Sequence, residues 1–148
     1  MLFALLALAS LALMLGTIRA GASVEGGTVY RPAFKTLGDN VEVRVDPSSF
    51  KGSDWIDADG VVKPGCPLKA DGTIAGGAPG EVAASVVPYA VGVAEGSTDA
   101  LLDAAPNGDI ATRTRGDVVR FDVEGNLGRV LTADEVSAIE STGRFVLI

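Results

Sequence analysis

The sequence predicts a mainly β protein. It reads as a small barrel- or sandwich-like body with one short C-terminal helix, preceded by an apolar N-terminal helical segment. Three observations carry this expectation. Between Val61 and Val93, apolar runs at Val61-Val62, Pro67-Leu68, Ile74 and Val86 to Val93 are cut by Lys63-Pro64-Gly65, Asp71-Gly72 and Gly76-Gly77. Pro and Gly at such close intervals set turns between short strands. Val41 to Val45 alternates Val-Glu-Val-Arg-Val, the period of two that gives a strand one apolar and one wet face. Thr132-Ala133-Asp134-Glu135 has the spacing of a capping box, in which each end of the motif satisfies the other's free amide.

The chain of 148 residues has room for one domain and an appendage. We divide it into residues 1–27, an apolar segment and linker; residues 28–60, an arm, a strand and a loop; and residues 61–148, the β-rich domain. Met1 to Ile18 carries no charged side chain and is rich in Leu and Ala, which favour helix. It fits a secretory signal ending at Ala20-Gly21-Ala22, although no Lys or Arg precedes the apolar core. It also fits a short membrane span, or a helix buried against partner subunits, since a helix apolar all round must be covered by something. Gly21 to Gly27 is a small-residue linker.

Thr28 to Phe34 (Thr-Val-Tyr-Arg-Pro-Ala-Phe) is extended in character, because Pro32 disfavours helix at Arg31. Such a segment either adds a strand to a neighbour's sheet or forms an edge strand of its own domain. After the Val41–Val45 strand, Asp46-Pro47-Ser48-Ser49 is a stop, and Phe50 to Gly60 is a loop holding Trp55. Pro88 places a bend between Val86-Val87 and Ala90 to Val93. Glu95, Asp99, Asp103 and Asp109 form an acidic stretch with no basic neighbour in sequence, anchored by a short helical turn at Leu101-Leu102. Pro106-Asn107-Gly108-Asp109 is a turn. Ile110 to Thr114 and Val118 to Val123 read as strands joined by a Gly116-Asp117 turn, with Gly125-Asn126 closing the hairpin. Ala133, Val136 and Ile139 recur at helical spacing, Gly143 stops that helix, and Arg144 to Ile148 is an apolar strand in need of a partner.

Composition narrows the function. The net charge is −7, and the densest basic run, Arg113, Arg115 and Arg120, contains Asp117. Phosphate backbones require clustered Lys and Arg, so no direct nucleic-acid contact is expected. The single cysteine, Cys66, forms no intramolecular disulfide, and with no histidine there is no Cys–His dyad. It reads as a small apolar side chain in a turn. A zinc site does not fit one Cys and no His. Asp57-Ala58-Asp59-Gly60 resembles the middle of a calcium loop, but the glutamate required eleven positions after Asp57 is Leu68. An irregular site on Asp54, Asp57 and Asp59 is the alternative to a solvated turn. Arg115-Gly116-Asp117 spells an adhesion tripeptide and is also ordinary turn chemistry. No nucleophile elbow, P-loop or dinucleotide fingerprint is present. The expectation is a non-enzyme with no catalytic residues, no cofactor and no metal.

The order of features past Val61, short motifs made mostly of turn chemistry, carries a resemblance. Val62-Lys63-Pro64-Gly65-Cys66-Pro67-Leu68 is followed by Ala70-Asp71-Gly72-Thr73-Ile74, then Pro88-Tyr89-Ala90-Val91-Gly92-Val93-Ala94. Thr114-Arg115-Gly116-Asp117-Val118-Val119 comes next. Leu131 to Val136 and Gly143-Arg144-Phe145 complete the series. This resembles the head decoration proteins of tailed bacteriophages, of the lambda decoration-protein type, over roughly residues 60–148. The resemblance implies a β-tulip-like body that sits as a homotrimer on the capsid exterior and clamps neighbouring major capsid protein subunits. It further implies that an N-terminal arm pairs with the shell, which here would be Thr28, Val29, Tyr30, Arg31 and Phe34. The apolar Met1 to Ile18 departs from that family; within the resemblance it is an added anchor buried among trimer mates or under capsid loops, and a membrane is not the expected partner although the segment leaves one open. The competing reading is a secreted or membrane-tethered bacterial β domain that binds a surface ligand.

Overall fold

Alternating residues at Val41–Val45 form β1, which pairs antiparallel with β6, Gly108–Thr112, so that Val43 faces Ile110. The expected apolar face is graded rather than uniform: Val45 is buried, Val43 half-buried and Val41 exposed. This is a computed structural model describing residues 28–148. The readings placed on Met1 to Ile18 and on the Gly21 to Gly27 linker lie outside the described residues. By its contacts the chain divides into Met1–Tyr30 and Arg31–Ile148. In the first unit, Thr28 and Val29 are exposed and Tyr30 is half-buried. The rest of the description concerns the second.

The turn-punctuated stretch folds as its spacing dictates. β2 (Val61–Val62) pairs with β5 (Val91–Gly92), and β3 (Pro67–Leu68) with β4 (Ser85–Val86), both antiparallel. Single bridges join Leu68 to Ile74 and Val86 to Arg113. Gly65 and Gly72 take the positive φ angles, 100° and 84°, that the intervening turns need.

The strands do not close. Among the described residues they form four two-stranded sheets, so the barrel expectation is corrected to short strand pairs with a modest β content. The cause is local: Pro67 and Pro88 cannot donate to a ladder, and each run is turned after two residues.

Helix content exceeds the expected single C-terminal helix. α1 (Asp99–Ala104) is capped by Thr98, whose hydroxyl accepts from Leu101 N–H, in keeping with the expected turn at Leu101-Leu102. α2 (Arg120–Leu127) replaces most of the strand expected over Val118 to Val123. Val-Val-Arg-Phe-Asp-Val alternates as a strand would. Val123 and Leu127, however, lie four apart on one helical face and are both buried, while Phe121 is 80% exposed. Gly128 ends the helix in the left-handed region with φ 81°. α3 (Ala133–Glu140) has the full capping box between Thr132 and Glu135.

The expected Gly116-Asp117 turn is also corrected. Gly116–Val118 is a strand, β7, paired in parallel with β8, Phe145–Leu147. Its other edge holds the incoming chain: Phe34 bridges Val118, Lys35 N–H donates to Asp117 O, and Val119 N–H donates to Ala33 O. Two members of the acidic stretch, Asp103 and Asp109, find partners remote in sequence. Lys51 meets Asp103, and Arg44 meets Asp109 at 3.5 Å.

One core unites these elements. Phe50, Leu68, Leu102, Ile139 and Phe145 are its largest fully buried members, and Ala33, Phe34, Val45, Trp55 and Ile56 belong to the same cluster. Each such aliphatic or aromatic side chain contributes roughly 1.5–3 kcal/mol on burial. The expected division at residue 60 is therefore not a domain boundary. Residues 31–60 supply part of the core that residues 61–148 surround.

Candidate functional site

The residues expected to form a contact arm separate into two groups. Thr28, Val29 and Tyr30 belong to the first unit. Arg31 is fixed on the body by Asn126 of α2: Arg31 N–H donates to Asn126 Oδ1 at 2.9 Å, and Asn126 Nδ2 donates back to Arg31 O at 2.8 Å. The side chain copies the two-way bonding of a neighbouring strand. Arg31 also lies 3.6 Å from Asp122. Phe34 is only 8% exposed and packs on Phe145 with ring centroids 6.2 Å apart. Phe34 is a core residue, which corrects the expectation that its side chain is free for a contact arm. In sequence, Gly125-Asn126 has the chemistry of a closing turn; the clamp role of Asn126 has no local sequence signal.

Phe34 has a second neighbour that sequence reasoning missed. Arg113, 4% exposed, lies over the Phe34 ring at 4.9 Å and the Tyr89 ring at 5.6 Å. Its Nη1 donates to Thr36 O at 2.6 Å, Nη2 to Tyr89 Oη at 3.2 Å and Nε to Asn40 Oδ1 at 3.4 Å. All three acceptors are neutral. Among the described residues no carboxylate pairs with Arg113, Arg115 or Arg144. These three arginines line one cleft of about 810 Å³ with Phe34, Leu37, Asp39 and Val41. The basic run noted in the sequence thus splits: Arg113 and Arg115 enter the cleft, Arg144 joins them from β8's leading end, and Arg120 pairs with Glu124 at 3.1 Å.

A second concavity, about 310 Å³, lies beside Trp55, Gly76 and Glu135. Glu135 accepts from Arg129 Nη1 (2.8 Å), Arg129 Nη2 (3.1 Å), Trp55 Nε1 (3.1 Å) and Thr132 N–H (2.8 Å). Burial pushes this carboxyl up, but the Arg129 and Thr132 donors more than offset that and hold it below the usual range. Four donors occupy the four acceptor positions of a carboxylate. Glu135 is a fixed structural anion and has no position free for proton transfer.

The other sequence candidates resolve into local structure. Asp57 Oδ1 accepts from Asp59 N–H at 2.9 Å and Val61 N–H at 3.0 Å, as in a turn. Asp54 pairs with Arg129 at 3.0 Å. Among the described residues no three His, Cys, Asp or Glu side chains are grouped to hold a metal ion. Cys66 is fully buried, and burial, with the Glu135 charge adding to it, pushes its thiol well up. Arg115-Gly116-Asp117 runs into β7 rather than forming a loop tip. Among the described residues no helix is long and apolar enough to cross a membrane.

Comparison with protein-family models, with curated proteins and with solved structures returns no match. The functional reading therefore rests on the residues and their geometry.

Proposed function

We propose that the chain is a capsid decoration protein: a non-enzymatic cement that binds the outer surface of a tailed-phage head as a homotrimer and stabilises contacts between major capsid subunits. The observation that carries this reading is the motif order from Val62 to Phe145. Its pieces are β2 to β3, β4 to β5, β6 to β7, α3 and β8, which pack on one core. In this reading the paired strands make up the β-tulip-like body of that family. Of the shell-contact arm that the resemblance gives as Thr28, Val29, Tyr30, Arg31 and Phe34, the first four make the contact in this reading, and Phe34 stays in the core. A trimer touching several shell subunits gains avidity from modest contacts, and cyclic symmetry lets one patch serve every copy. The acidic balance, −7 overall, avoids trapping nucleic acid.

The test is co-sedimentation of the full chain with heads assembled from the major capsid protein of the same virus, with mass read by light scattering. Binding as a trimer, weakened by deleting residues 1–27, is the expected result. A monomer that ignores the shells removes the reading. The second reading, an exported or membrane-tethered domain that binds a surface ligand, draws on Met1 to Ile18 and the Ala20-Gly21-Ala22 that follows. Export with cleavage near Ala22, seen by intact mass, would select it.

A further inference from the structure

The Arg113 cleft holds a buried charge that no carboxylate among the described residues pairs. Buried charges are normally paired with an opposite charge, because removing them from water is costly. Arg113 is 4% exposed, and among the described residues its hydrogen-bond acceptors are all neutral and it lies against two aromatic faces. Arg115 and Arg144, both exposed, line the same cleft, against one carboxylate among the described residues, Asp39. The cleft is locally cationic in a chain of net charge −7, and low-dielectric walls concentrate that field. One side is apolar and solvent-facing: Leu37 is 86% exposed and Val41 46%. Its volume, about 810 Å³, far exceeds what one small ion fills and lies within the range of ligand sites, roughly 300–1,000 Å³.

We propose that this cleft binds a carboxylate side chain on an extended segment of a partner protein, with an adjacent apolar residue resting on Leu37 and Val41. Guanidinium groups match a carboxylate in two-pronged, charge-assisted hydrogen bonds. The Phe34 and Tyr89 rings and Thr36 O hold Arg113 in place before the ligand arrives, so little ordering cost falls on binding. The apolar wall selects a peptide over a lone anion. The assignment uses only the cleft and stands independently of the coat reading.

The experiment titrates the isotope-labelled full chain with a capped Leu-Asp-Leu peptide, its Leu-Asn-Leu counterpart, acetate and inorganic phosphate, following the Arg113 Nε–H and Tyr89 resonances. The acidic peptide is expected to saturate with shifts confined to the cleft, and the amide peptide to bind at least about tenfold more weakly. Affinity should also fall as salt rises. Replacing Arg113 disturbs the core, so the variant of choice is Arg115→Gln with Arg144→Gln, whose side chains are exposed. It should keep the native spectrum and lose about fivefold or more in affinity. Equal binding of the two peptides, an unchanged double variant, or no saturation up to about 10 mM would overturn the proposal. Acetate binding as tightly as the peptide would make the ligand a small carboxylate, and phosphate doing so would make it a general oxyanion; either result also overturns it.

Discussion

Trp55 donates its indole N–H to Glu135 Oε2 at 3.1 Å, across 80 positions of sequence. The bond ties the loop after β1 to the first turn of α3, and both partners are buried. Glu135 is also the N3 member of that helix's capping box, accepting from the Thr132 N–H, and the partner of Arg129. One carboxylate thus fixes a helix start, a loop and an arginine together. Trp55→Phe removes the donor and part of the ring. The expected loss is about 1–3 kcal/mol, from the hydrogen bond and the smaller side chain together, read as a lower midpoint in urea with an unchanged slope.

The same carboxylate makes stability depend on acid. Its folded-state value is held below the ordinary one, because the Arg129 and Thr132 donors outweigh the upward push of burial. A depressed value means that the folded state binds its proton less readily than the unfolded chain does. The stabilisation is therefore complete above the usual glutamate value, about 4.3, and is lost as pH falls through the lower folded value. Glu124 shifts the same way, chiefly through the Leu131 N–H it accepts. Melting temperature should hold steady from neutral pH to about pH 5 and fall below it. Glu135→Gln should melt lower at neutral pH and show a shallower acid slope. An unaltered slope would mean that other carboxylates dominate.

Gly76 lies directly beneath Glu135. Its φ is 92°, and a Cβ there would stand 2.9 Å from the Glu135 Cα. Gly52 has a comparable φ of 70° but open space around it. The two sites separate backbone strain from crowding. Gly52→Ala should cost about 1–2 kcal/mol from the left-handed conformation alone. Gly76→Ala should cost about 1–3 kcal/mol more, since backbone must move to admit the methyl. Denaturant midpoints of the two variants give the comparison, and equal losses would show that the turn gives way freely.

What could be read from the sequence was what local chemistry decides. The alternation of β1, the turn glycines between β2 and β5, the helical turn at Leu101-Leu102 and the Thr132–Glu135 capping box each state their conformation within a few residues. What escaped depends on partners remote in sequence. Arg113 sits next to buried Thr112, so the expected in-out alternation breaks there, and only the fold brings Phe34 and Tyr89 to its faces. Asn126 reads as a turn residue until Arg31 arrives beside it. Phe34 reads as an arm residue until Val118 and Phe145 close over it.

The α2 segment is where period two and period 3.6 competed most evenly, and it yields a sharp test. A strand would place Phe121 and Val123 on the same face, two residues apart. The helix puts them on different faces, with Val123 fully buried and Phe121 80% exposed. Phe121→Ser should therefore change stability by no more than about 0.5 kcal/mol. Val123→Ala, which empties space in the core beside Gly65, should cost about 1–3 kcal/mol. Thermal melts of the two variants decide between the geometries. Comparable losses at both positions would restore the strand and, with it, the hairpin between Ile110 and Val123.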